Sequence, residues 1–133
     1  MAGNSYFIDT NIVVEFFRGN ETVINHLNEN KDFAIAAIVL GEQEFGIQNS
    51  KQHQKHSNQL KDFMTGVDVV KIDKETAVWY GKIKTELRKP GKPIPENDIW
   101  IAALSLQHNL TLVTNDAHFD SVNLLKTEKN LKC

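Results

Sequence analysis

The sequence predicts an α/β protein, with one mostly parallel sheet of four to five strands covered by helices on both faces. Three observations carry that expectation. Short β-branched or aromatic runs alternate along the chain with longer segments of helical apolar spacing. The connections between them are short, as strand–helix–strand units require. The first run, Tyr6-Phe7-Ile8, passes from three large hydrophobics straight into an acid, Asp9, just where a helical pattern begins. In an open parallel sheet, ligands collect outside the carboxyl ends of the strands. Asp9 therefore stands where chemistry is expected.

Each element follows in order. Asn11 to Arg18 places Ile12, Val13, Phe16 and Phe17 at helical spacing, with Thr10 or Asn11 as its cap and Gly19-Asn20 as its stop. Glu21 to Asn28 predicts a short helix on Val23, Ile24 and Leu27, and Asp32 to Ala36 a second strand. Helices over Ile38 to Gln48 and about Gln52 to Met64 follow, the latter anchored by Leu60, Phe63 and Met64. Gly66 breaks that helix, and Val67 to Ile72 alternates as a third strand. Asp73 is placed to cap a helix from Lys74 to about Arg88, with Ala77, Val78, Tyr80, Ile83 and Leu87 inward. All three prolines fall between Lys89 and Pro95, which makes that stretch a loop. Asn97 is expected to cap the most apolar helix, Asp98 to His108, ahead of a strand at Leu110 to Thr114. A helical turn over Ala117 to Asp120 and a strand near Val122 to Leu125 complete one domain, residues 1–125. A polar, frayed tail, 126–133, follows.

Composition narrows the function classes. The chain has 133 residues, with 41% hydrophobic and 24% charged, the globular range. A net charge of −2 shows no global basic field, so any nucleic-acid surface is local. The single cysteine, Cys133, leaves no intramolecular disulfide and suits a reducing cytoplasm. The start lacks the pattern of a signal peptide, and no apolar run is long enough to span a bilayer.

Four acids share an unusual setting. Asp9 ends a buried strand, and Asp116 lies two residues beyond the strand Leu-Val-Thr. Asp98 opens a helix that is otherwise nearly all apolar, and Glu42 sits in a helix among Val39, Leu40 and Phe45. Glu42 is preferred over Glu44 because it shares a face with Val39, Phe45 and Gly46, whose missing side chain permits a close neighbour. Ionised carboxylates beside buried structure are costly unless something positive compensates them. A cluster of them suits a hard divalent cation, Mg²⁺ or Mn²⁺. Bland readings compete: capping for Asp9 and Asp98, a surface position for Glu42, an Asn-Asp turn for Asp116.

With those residues in view, the chain resembles the PIN domain, closely in its VapC-type toxin form. The stretches Y-F-I-D-T-N, V-L-G-E-Q-E-F-G and P-E-N-D-I-W-I-A-A-L-S-L-Q-H-N-L-T-L-V-T-N-D-A-H-F carry the resemblance, in the right order and spacing over essentially the whole chain. The resemblance implies a PIN-like three-layer α/β/α sandwich. It implies a metal-dependent endoribonuclease, the toxin of a toxin–antitoxin pair that inhibits translation, forming a homodimer or a heteromer with an antitoxin that covers and silences its active site. It assigns the metal-binding acids to Asp9, Glu42, Asp98 and Asp116, and supporting roles to Thr114 and Asn11. The number of ions, one or two, stays open.

An RNA substrate needs positive charge that the total conceals. Lys84, Arg88, Lys89 and Lys92 cluster before Asp98 and are the phosphate-contact candidates, although basic residues near a helix C-terminus are favoured in any case. His53 and His56 lie on a polar face, and His118, close to Asp116, is read as a surface residue ahead of one that approaches substrate. Rival functions fit less well. A haloacid-dehalogenase-type phosphotransferase wants a second acid where Asn11 stands, and a receiver-type signalling module wants paired acids there. An RNA-processing nuclease outside any toxin–antitoxin pair remains the closest alternative, ahead of a non-catalytic RNA-binding module.

Overall fold

A single parallel sheet organises the molecule. The computed structural model describes residues 6–29, 32–89, 91 and 93–129. The first half of the chain supplies β1 (Tyr6–Ile8), α1 (Thr10–Phe17), α2 (Glu21–Glu29), β2 (Phe33–Ala36), α3 (Ala37–Gln48) and α4 (His53–Phe63). The second half supplies β3 (Asp68–Val70), α5 (Lys74–Arg88), α6 (Glu96–Gln107) and β4 (Thr111–Val113). A 3-10 turn (Ala117–Ser121) and β5 (Thr127–Glu128) end the series. The strands are ordered β3-β2-β1-β4-β5, and every neighbouring pair is parallel.

That order fixes where a site can form. The chain steps outward from β1 through β2 to β3, then returns to the opposite side of β1 for β4 and β5. The direction of winding thus reverses between β1 and β4, and the crevice at such a switch point is where open α/β sheets hold ligands. Phe7 lies beside Ala34 and Leu112, and Ile8 beside Ile35 and Val113. All six are fully buried, as strands covered by helices on both faces must be. Among the described residues six helices flank the sheet, and the most extensive contact between helices joins α5 and α6.

The sequence reading needs several corrections. Neither Thr10 nor Asn11 caps α1; Asp9 does, accepting from the Thr10 backbone N–H. Asn97 is not the cap of α6 but lies in its first turn, because Pro95 presets the backbone at φ −55° and the helix starts at Glu96. Ala77 and Val78 face solvent, since α5 buries only the stripe of Thr76, Ile83 and Leu87. Phe45 is 73% exposed, and a side chain at Gly46 would meet only open space, so that glycine makes no close approach. The last strand is not at Val122 to Leu125. The polar stretch expected to fray supplies it instead, held by Leu112 N–H to the Lys126 carbonyl and Thr114 N–H to the Glu128 carbonyl. The Asp73 cap does form, with a full capping box to Thr76.

Candidate active site

Two strand ends and two helix starts meet at the switch point. β1 delivers Asp9, and its backbone N–H continues the ladder to Val113 at 3.1 Å. β4 delivers Thr114, fully buried, whose hydroxyl donates to Asp9 Oδ2 at 2.7 Å. The same hydroxyl oxygen accepts from the Asp116 backbone N–H at 2.9 Å, so one side chain fixes two acids. The other Asp9 oxygen takes the Thr10 N–H at 2.8 Å. Thr10 in turn donates its hydroxyl to Glu42 Oε1 at 2.9 Å, which draws the glutamate of α3 toward the strand ends. Asp98, in the first turn of α6, completes the group beside His118, whose Nδ1 lies 3.2 Å from Asp98 Oδ2.

These groups line a cleft of about 650 Å³ together with Asn11, Glu15, Arg18 and Glu96. Its described lining holds six acidic residues against Arg18 and His118. Arg18 is engaged by Glu15 at 3.3 Å. Burial pushes the Asp9 carboxyl from its ordinary 3.8 up to about 6. The hydrogen bonds from Thr114 and Thr10 oppose that rise, while the charges of Asp98 and Asp116 add to it. Asp98 is also raised, by burial first, with Asp116 and Glu42 adding and His118 opposing. The acids therefore sense one another across the cleft.

A divalent cation fits this donor set. The cleft concentrates negative charge with little to balance it, and a bound cation inverts that penalty. Asn11 Oδ1, on the cleft lining, is buried without a hydrogen-bond partner, an acceptor left for something the cleft would hold. Oxygen atoms of Asp98 and Asp116 and a ring nitrogen of His118 lie within 4.8 Å of one another.

The structure brings Asp9, Asn11, Glu42, Asp98 and Asp116 to one cleft and sets Thr114 behind Asp9. Lys84 lies at its margin, 2.8 Å from Glu96 and 3.1 Å from the Tyr80 hydroxyl. Arg88 and Lys89 are exposed at the end of α5 and do not line the cleft, while Lys92 lies outside the described residues. Sequence reasoning left out His118, Glu15, Arg18 and Glu96. A signal for His118 existed in its spacing from Asp116, since a tight turn returns that residue to the same edge.

An acid-lined crevice at the switch point of a parallel sheet, with oxygen acceptors that could hold a hard cation, defines a class of α/β proteins. The chain belongs to the PIN-domain family, whose model matches residues 6–125. Ribonuclease VapC2 of Rickettsia felis is 32% identical over 115 residues, covering 84% of this chain and 86% of its own. The tRNA(fMet)-specific endonuclease VapC of Shigella flexneri is 28% identical over 127 residues, covering 92% of this chain and 96% of its own. Among solved structures, VapBC2 from Rickettsia felis bound to a fragment of promoter DNA matches with a TM-score of 0.88. It is 30% identical and covers 94% of this chain and 98% of that one.

Proposed function

We infer that this chain is an endoribonuclease, an RNA-cleaving hydrolase that serves as the toxin of a toxin–antitoxin pair. The observation that carries the reading is the convergence of Asp9, Glu42, Asp98 and Asp116 at the switch point of a PIN fold. Relatives named ribonuclease VapC support RNA as substrate, and VapBC complexes among the structural neighbours support an antitoxin partner. The proposed ion is Mg²⁺ or Mn²⁺, held by those four acids. When bound, it would polarise the phosphodiester, lower the pKa of a water and stabilise the leaving oxygen.

The chain's own residues contribute preorganisation. Thr114 holds Asp9 and the Asp116 backbone at once, and Thr10 holds Asp9 and Glu42, so the acids are set before substrate arrives. Asn11 lines the cleft, and its side-chain oxygen is buried without a hydrogen-bond partner. Lys84, Arg88, Lys89 and Lys92 are proposed to steady the RNA backbone along the end of α5 and the following loop. The proposed assembly is a homodimer, or a heteromer with an antitoxin that covers the active site and silences it, in the cytoplasm. No helix among the described residues is long and apolar enough to cross a membrane.

The test is RNA cleavage with Mg²⁺ or Mn²⁺, comparing the protein with Asp9→Asn and Asp98→Asn. Both substitutions should lower the rate by about a hundredfold or more. Cleavage that persists in chelator, or variants as active as the parent, would overturn the assignment.

A further inference from the structure

Among the groups facing the acid cluster, His118 differs in kind from the rest. It follows Asp116 on the 3-10 turn, and its backbone N–H donates to Asp116 Oδ1 at 2.9 Å. That bond closes the turn and carries the ring back to the cleft. Nδ1 then lies 3.2 Å from Asp98 Oδ2 and 3.1 Å from Asp116 Oδ1. Donors about 2.1 Å from an octahedral ion are about 3 Å apart when adjacent and about 4.2 Å apart when opposite. Both separations are those of a hydrogen bond or ion pair and equally those of adjacent ligands on a single ion, and all three atoms fall within 4.8 Å.

The chemistry of the donor sharpens the point. A ring present only to neutralise two acids needs no particular nitrogen, and any cation would serve. An imidazole adds a softer donor than oxygen, which a first-row transition ion accepts more readily than Mg²⁺ does. Building on the metal-dependent reading above, we propose that His118 Nδ1 is a direct ligand, with Asp98 and Asp116, to one bound ion. This third donor biases the cleft toward transition ions such as Mn²⁺ over Mg²⁺.

Pulsed electron paramagnetic resonance of the Mn²⁺-loaded protein tests this without reference to cleavage. The parent should show ¹⁴N modulation from a coordinated imidazole, and His118→Ala should show none. By calorimetry, His118→Ala should weaken Mn²⁺ binding about tenfold and Mg²⁺ binding by less than about twofold. His118 is exposed, and matching metal-free melting curves check that the variant is folded. If Mn²⁺ binds the parent with no nitrogen signal, the proposal fails, the metal reading survives, and His118 is a counter-charge. Equal losses for the two ions overturn the bias. A parent that binds no Mn²⁺ removes both readings.

Discussion

Asp9 shows at the scale of one residue how a functional group is held at a cost. It is 3% exposed, and its raised pKa means that folding disfavours its charge. An acid whose folded pKa lies above its unfolded one favours the protonated form, so stability falls as pH rises between the two. The window runs from the ordinary 3.8 to about 6 and is worth about 3 kcal/mol at most. Metal-free Asp9→Asn should thus be more stable than the parent above pH 6, with an advantage that shrinks as pH falls toward 4. Chemical denaturation in chelator across that range measures it, and a pH-independent difference would refute the account. The identity of Asp9 was legible because three large hydrophobics run into it. The role of Thr114 was legible only through family resemblance, since its two hydrogen bonds join residues 105 apart and two apart. His118 was set aside as a surface residue because the sequence pattern gives the turn over Ala117 to Asp120 but not the direction in which its ring points.

Elements were easier to name than to orient. Helix α5 was placed to the residue, because Asp73 advertises its start and the prolines beyond Lys89 enforce its end. Its inward face was misjudged at Ala77 and Val78, since periodicity admits several stripes and only packing against α6 chooses one. Asp73 also does more than cap. Gln107 of α6 donates to its carboxylate at 2.9 Å and is hydrogen-bonded by the buried Thr76 hydroxyl. Asp73→Ala should therefore destabilise the fold and lower the melting temperature by several degrees. A variant that melts with the parent would show the cap to be redundant. Strand β5 escaped notice for the opposite reason. Thr127 and Glu128 carry almost no apolar signal, and their pairing rests on backbone groups offered by β4 and on His26, which meets Glu128 at 2.8 Å.

Over the whole molecule, charge is divided rather than balanced. The net −2 hides an acid cleft flanked by a helix that ends in basic residues. An RNA strand would reach the acids only with phosphate contacts elsewhere to offset their repulsion. Replacing Arg88 and Lys89 with glutamine should weaken RNA binding and reduce the slope of log affinity against log salt by about two. Unchanged binding would move the substrate path off α5. The fold class was readable because alternation of elements is written locally. The cleft was only half readable, because the order β3-β2-β1-β4-β5 is a property of the assembled sheet. That order also imposes a schedule. During synthesis Asp9 leaves the ribosome 105 residues ahead of Thr114, with Asp116 just behind it. Central strand β1 then waits for β4, its neighbour on one side, until most of the chain exists. A chain made as far as α4 carries Asp9 and Glu42 but none of Asp98, Thr114 and Asp116, so the acid cluster cannot be assembled before β4 has been added.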